Sequence, residues 1–142
     1  MIAVDTNLLV YAHRAAVPEH RAARRAIERA SADRRGWGIS LPSLVEFWSV
    51  VTHASSSGGA STGTQARSFV DALVEDGAAA VWVPTAGFWL RLAQLANALS
   101  VQGPRIFDLQ IALVAFEGGA TEIWTHDQRF VAVPGMRVHD PL

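Results

Sequence analysis

Met1-Ile2-Ala3-Val4-Asp5-Thr6-Asn7 opens the chain and decides how the rest of it is read. Four apolar residues end abruptly at a carboxylate and two small polar residues, and Leu8-Leu9-Val10-Tyr11 follows with a helical turn. A short run that is apolar throughout, with no alternation, describes a strand covered on both faces, as in a parallel sheet. Further along, Trp37-Gly38-Ile39-Ser40, Val81-Trp82-Val83, Glu122 to Thr125 and Arg137-Val138-His139 read as strands of the same kind.

Helical patterns fill the intervals. Pro18 is placed to start a helix running to about Asp33, with Ala22, Ala23, Ala26, Ile27 and Ala30 on one side and Arg21, Arg25 and Arg29 on another. Pro42 sits in the first turn of a helix that carries Glu46. After a Ser/Gly-rich loop from His53 to Gly63, helices are expected near Thr64 to Asp76 and Ala86 to Leu99. A last one follows Gly103-Pro104, carries Asp108 and is ended by Gly118-Gly119. Strands alternating with helices predict an α/β fold, a three-layer α/β/α sandwich around a central parallel sheet of four to five short strands, in a single domain over residues 1–142.

Composition removes several function classes. The 142 residues contain no cysteine, so disulfides, thiolate metal sites and cysteine nucleophiles are excluded. All twelve basic residues are arginine, which excludes a P-loop lysine and a Schiff-base lysine. A net charge of -1 supplies no global attraction to nucleic acid, so any such binding must be local. No stretch approaches the ~20 apolar residues needed to cross a bilayer, and no signal segment opens the chain, so a cytoplasmic protein without membrane contact is expected.

Four acids then stand out: Asp5, Glu46, Asp108 and Asp127, each in or beside an apolar stretch. Asp5 and Asp127 lie at strand ends; Glu46 and Asp108 lie in early helical turns. In a parallel sheet such positions converge on the crevice outside the carboxyl ends of the strands. Removing a carboxylate from water costs several kcal/mol unless a cation or several donors compensate, and gathering like charges adds to that cost. A divalent cation answers both, and an all-oxygen donor set selects Mg²⁺, with Mn²⁺ as a substitute, over Zn²⁺. Taken singly, Asp5 reads equally well as a helix N-cap, Asp108 as a favourable helix-start charge and Asp127 as a turn residue. Glu46, with large apolar neighbours at every helical offset, has no such explanation and is expected to be buried.

The opening Ile2 to Asn7, Glu46 in the helix after the second strand, Asp108 followed by Ile111-Ala112, and Thr125-His126-Asp127-Gln128-Arg129-Phe130 together resemble the PIN domain, and more narrowly a VapC-type ribonuclease toxin of a toxin-antitoxin pair. The resemblance spans nearly the whole chain. It implies that Asp5, Glu46, Asp108 and Asp127 surround the metal, with Asp5 and Asp108 the most dependable ligands. Thr6, Asn7 and Thr125 would orient carboxylates or water. It also implies Mg²⁺-dependent hydrolysis of RNA to a 5′-phosphate and a 3′-hydroxyl, a cognate antitoxin that blocks the acids with an arginine or a helix, and a homodimer. Arg105 and Arg129 are candidate contacts to RNA phosphates. The long Ser/Gly loop after Glu46 departs from the family pattern.

Other functions remain beside this one. A haloacid dehalogenase-like phosphatase needs a second Asp two residues after the first, where Asn7 stands, and a lysine; a receiver domain fails on the same lysine. A non-catalytic PIN-like RNA- or protein-binding module has no reason to keep four buried anions. A metal-dependent DNA nuclease needs clamps and basic helices for which a compact, near-neutral chain has little room.

Overall fold

The computed structural model describes residues 1–142. In chain order the elements are β1 (Ile2–Val4), α1 (Thr6–His13), α2 (His20–Ser31), β2 (Trp37–Ser40), α3 (Leu41–Thr52), α4 (Gly63–Glu75), β3 (Ala80–Trp82), α5 (Phe88–Ala98), α6 (Arg105–Glu117), β4 (Glu122–Trp124) and β5 (Arg137–His139). The strands form one sheet in the order β3-β2-β1-β4-β5, and every pairing is parallel.

Successive residues of a strand face opposite sides, and β1 divides accordingly. Ile2 and Val4 enter an apolar cluster with Leu8, Leu9, Ile27 and Phe47, under α1, α2 and α3. Ala3 enters a second cluster with Leu92, Leu109, Val114 and Ile123, under α5 and α6. Both faces of the central strand are thus dry, which is the three-layer arrangement expected from an unalternating apolar run.

Strand order reverses at β1: β2 and β3 lie on one side, β4 and β5 on the other. The backbone after β1 and the backbone after β4 diverge there and leave a crevice at the carboxyl ends of the strands. Asp5 follows β1 immediately and Thr125 follows β4 immediately, so the topology delivers both to this opening.

Several boundaries differ from expectation by a residue or two, three of them with a local cause. α2 starts at His20, because Pro18 and Glu19 belong to the preceding turn, whose Val17 carbonyl accepts from the His20 N–H. β3 sits one residue earlier than read, since Gly38, Ile39 and Ser40 of β2 pair with Ala80, Val81 and Trp82. α5 begins at Phe88, after Gly87 takes a left-handed turn with φ 77°. Gly118-Gly119 ends α6 as read, with Gly118 as the C-cap, and Gly118 has a second use: a Cβ there would lie 2.2 Å from the Trp82 ring, so its missing side chain makes room for that buried indole.

Candidate active site

Asp5 is the one acid of the four that is truly buried, at 5% exposure. Its Oδ1 accepts from the Thr6 backbone N–H at 2.7 Å, so it caps α1 as well. Its Oδ2 accepts from the Asn7 amide at 2.9 Å and from the Thr125 hydroxyl at 2.6 Å. Burial nevertheless pushes its pKa up to about 6, against the lowering effect of the Thr125 and Thr6 bonds; the charges of Glu46 and Asp108 push the same way as burial.

Thr125 organises this side of the crevice. Its hydroxyl accepts from the Asn7 amide at 2.9 Å and from the Asp127 N–H at 3.1 Å, so its single proton is committed to Asp5. Asn7 is equally committed, because its Oδ1 accepts from the His126 N–H at 3.2 Å. Thr6, Asn7 and Thr125 therefore hold Asp5 in one orientation.

The opposite side is built differently. Arg105 and Asp108 share the first turn of α6, three residues apart on one face, and Asp127 arrives on the loop after β4. One guanidinium nitrogen of Arg105 donates to Asp108 Oδ2 and to Asp127 Oδ2, each at 2.8 Å. The Arg129 N–H adds a 2.8 Å bond to Asp127 Oδ1, and Arg105 together with this N–H holds the Asp127 carboxyl below the usual carboxylate range. The paired carboxylates in turn hold Arg105 above the usual arginine range. Arg105 is thus engaged by two acids, while the side chain of Arg129 is exposed beside the crevice.

Glu46 corrects the reading of its surroundings. It is exposed, because α3 buries Ser43, Phe47 and Val51 and turns Val45, Trp48 and Val50 outward with it. Its apolar neighbours form surface. One oxygen is fixed by the Thr6 hydroxyl at 2.7 Å, which aims the side chain over the crevice.

All four acids line one cavity of about 290 Å³, with Thr6, Asn7 and Tyr11 in its wall. As the side chains stand, no three of them close on a common point at ligand distance. Arg105 holds two of the acids and three donors hold the third. The donor chemistry still suits a hard cation: of the four carboxylates only Asp108 and Asp127 are paired with a guanidinium, and every polar atom bonded to Asp5 or Glu46 comes from Thr or Asn. Tyr11 was not anticipated; its place in the wall follows from lying one helical turn after Asn7 on α1.

The arginine stripe of α2 is a solvated surface. Arg21, Arg25 and Arg29 are exposed, Arg24 and Glu28 form no ion pair, and Arg29 lies over the Trp124 ring, 5.8 Å from its centre. Trp37, Trp82 and Trp124 are core, while Trp48 and Trp89 are exposed.

Comparison with known proteins agrees with this fold. The PIN domain family model matches residues 2–136. A VapC ribonuclease of Mycobacterium bovis is 34% identical over all 142 residues, covering 96% of that protein, and ribonuclease VapC43 of Mycobacterium tuberculosis matches equally. Among solved structures, the sarcin-ricin loop cleaving toxin VapC20 of Mycobacterium tuberculosis superposes with a TM-score of 0.69 over 92% of each chain at 16% identity. The VapBC2 complex of Rickettsia felis, bound to a promoter DNA fragment, gives 0.68 over 98% of each chain at 20% identity, so both share the fold. The order of strands, the crevice at the reversal of the sheet and full-length identity to named relatives lead to one assignment: the chain belongs to the PIN-domain family, in its VapC branch.

Proposed function

We propose that this protein is the toxin of a type II toxin-antitoxin pair, a metal-dependent endoribonuclease of the cytoplasm that hydrolyses RNA phosphodiester bonds. The observation that carries the reading is the convergence of Asp5, Glu46, Asp108 and Asp127, from four separate segments, on one small cavity at the switch point of the sheet. The full-length relatives named as ribonucleases support the substrate class. The toxin-antitoxin complex among the structural neighbours supports a protein partner.

Asp5 and Asp108 are the residues we assign to hold Mg²⁺ or Mn²⁺, with Glu46 and Asp127 bonding it directly or through water. When bound, such an ion supplies a water of lowered pKa and stabilises charge on the leaving oxygen. The protein contributes orientation. Thr125 and Asn7 fix the Asp5 carboxylate, so its geometry needs no rearrangement during reaction. Glu46, tied to Thr6 through one oxygen, keeps its other oxygen available to hold an attacking water. Arg105 keeps Asp108 and Asp127 together until a competing cation takes them. A homodimer would use the apolar groove of Leu41, Val45, Pro84 and Phe107 that adjoins Glu46.

A binding module without catalysis draws on one observation, the Arg105 bridge that already compensates two of the acids. Incubating purified protein with total RNA and Mg²⁺ or Mn²⁺ separates the two. Discrete fragments that vanish with EDTA and in Asp5→Ala are expected; RNA left intact by folded, antitoxin-free protein in every metal would establish the module.

A further inference from the structure

The proposed ribonuclease has an unsolved problem of attraction: its reacting centre is a cluster of carboxylates, and its chain carries a net charge of -1. An RNA strand must be held by favourable contacts elsewhere, close enough to position the bond that is cut.

Arg14 answers that description. It is only 7% exposed, at the carboxyl end of α1, and no carboxylate pairs with it. Its guanidinium donates to the carbonyls of Val51 and Gly59 and to the Ser56 hydroxyl, and its Nε is buried without any partner. A buried cation compensated only by neutral dipoles keeps its field and biases its neighbourhood toward anions. Above it lies the loop from His53 to Thr62, where Ser55 and Ser57 are exposed and the Ser57 and Gly58 N–H groups have no backbone acceptor. His53 Nδ1 accepts from the Ser55 N–H at 3.1 Å and from the Ser55 hydroxyl at 2.8 Å, which commits that hydroxyl's proton and assigns the ring's own proton to Nε2 as a further donor.

Placement completes the case. A cavity of about 530 Å³ lined by Arg14, His53 and Ser55 to Ser57 shares Val10, Tyr11 and Val50 with the carboxylate cavity. A second, of about 650 Å³, continues past Arg14 and Ser57 toward His13, Thr64 and Gln65. Neither contains an acidic residue, although the chain has thirteen. The result is a trough that begins at the anionic centre and runs along hydroxyl and amide donors over a buried positive charge.

We propose that this trough is a phosphate subsite for the RNA strand, in which the Ser57 hydroxyl and the loop amides contact the phosphate flanking the cleaved one and Arg14 supplies the charge beneath them. The proposal rests on the ribonuclease reading above. Arg14 thereby acts on the substrate through the loop that it also holds in shape.

The test is binding of single-stranded RNA oligonucleotides, without metal, to the Asp5→Asn protein with and without Ser57→Asp or Arg14→Lys, followed by fluorescence anisotropy over a range of salt concentrations. Ser57 is exposed and makes no bond within the protein, so Ser57→Asp places a negative charge in the trough while leaving the Arg14 anchor alone. Loss of one phosphate contact lowers the slope of log K against log salt by about 0.7 for a single strand, with about a tenfold loss of affinity at low salt. A neutral methylphosphonate at one flanking position should reproduce that loss and make Ser57→Asp silent, because the two changes remove the same contact. A wild-type slope in Ser57→Asp, with no methylphosphonate position that couples to it, would overturn the subsite and leave Arg14 as a staple of the loop. RNA that is cut in a manner dependent on Asp5 and metal while the slope is unchanged sinks only the subsite; RNA that is never cut sinks the ribonuclease reading.

Discussion

The two walls of the carboxylate cavity solve the same problem in opposite ways. On the β1 side, Asp5 is buried and receives three hydrogen bonds from neutral donors, yet its pKa stands near 6. On the α6 side, Asp108 and Asp127 are half-exposed and share one guanidinium, and Asp127 stays below the ordinary range. Neutral donors fix direction but leave charge uncompensated; an arginine compensates charge but occupies the place where a cation would sit. On the proposed function, the first wall would anchor the metal and the second would have to open to it.

Breaking the anchor has the largest effect. Asp5→Asn should abolish metal-dependent RNA cleavage, a loss of at least about a thousandfold in rate if the ion is required. The same change should stabilise the metal-free fold. A folded pKa near 6, above the unfolded value of about 3.9, means that the native state binds the proton more tightly. The contribution of Asp5 to stability is then full below about pH 4, falls as the pH rises toward 6, and stays low above it. Asp5→Asn escapes that loss, so its advantage over the wild type should grow between these limits and reach roughly 1–3 kcal/mol at pH 7 in EDTA, the range allowing for a poorer fit of the amide to Thr125 and Asn7. Denaturant titrations at several pH values measure it, and an Asn variant less stable at pH 7 than the wild type would contradict the account of the anchor wall. Added Mg²⁺ should raise the melting temperature of the wild type alone.

Thr125→Val strikes the same wall through its support. The methyl group cannot donate to Asp5, it orphans the Asp127 N–H, and it leaves the Asn7 amide with Asp5 as its one acceptor. A cost of about 1–3 kcal/mol in stability is expected from unsatisfied partners, together with a 10- to 100-fold loss of metal affinity of the kind seen when a ligand loses its supporting bond. Calorimetric titration with Mn²⁺ gives the second number. Unchanged affinity would show that Asp5 orients itself.

Arg105→Gln probes the other wall and should move affinity in the opposite direction. Without the guanidinium, Asp108 and Asp127 become a bare anionic pair, so Mn²⁺ should bind several-fold more tightly while the metal-free protein loses only a little stability. Weaker Mn²⁺ binding in Arg105→Gln would mean that the arginine pre-forms the site and does not compete for it.

How much of this was legible follows the same division. Asp5, Thr125 and the strands that bring them together could be read directly, because local patterns specify them: Met1-Ile2-Ala3-Val4 stops at the acid, and Trp37-Gly38-Ile39-Ser40 is a strand with the bounds that were read. The Arg105 bridge could be seen only by half, as an i,i+3 pair with Asp108; Asp127 joins through tertiary structure from 22 residues away. Arg14 gave no signal, since a lone arginine after a helix reads as surface. Glu46 misled for a related reason. Apolar neighbours mark burial when they belong to a core, but Val45, Trp48 and Val50 belong to an exposed face, and a sequence does not distinguish a core stripe from an apolar surface patch.

Glu46 accordingly belongs to neither wall, and it carries the smallest expected effect on the fold. Its carboxylate is exposed and held by one hydroxyl, so Glu46→Gln, which keeps an acceptor for Thr6, should change stability by less than about 0.5 kcal/mol. Metal affinity should fall by no more than a few-fold, because Asp5 and Asp108 remain. Cleavage should fall further than either, since on the proposed function the free oxygen assigned to the attacking water loses its charge and its ability to accept the proton. That pattern, a rate loss of about 10²-fold with fold and ion binding nearly intact, separates a residue acting on the water from one that holds the ion. If stability, affinity and rate instead fall together, Glu46 is a third structural wall of the cavity, and the division between an anchoring side and an opening side is too simple.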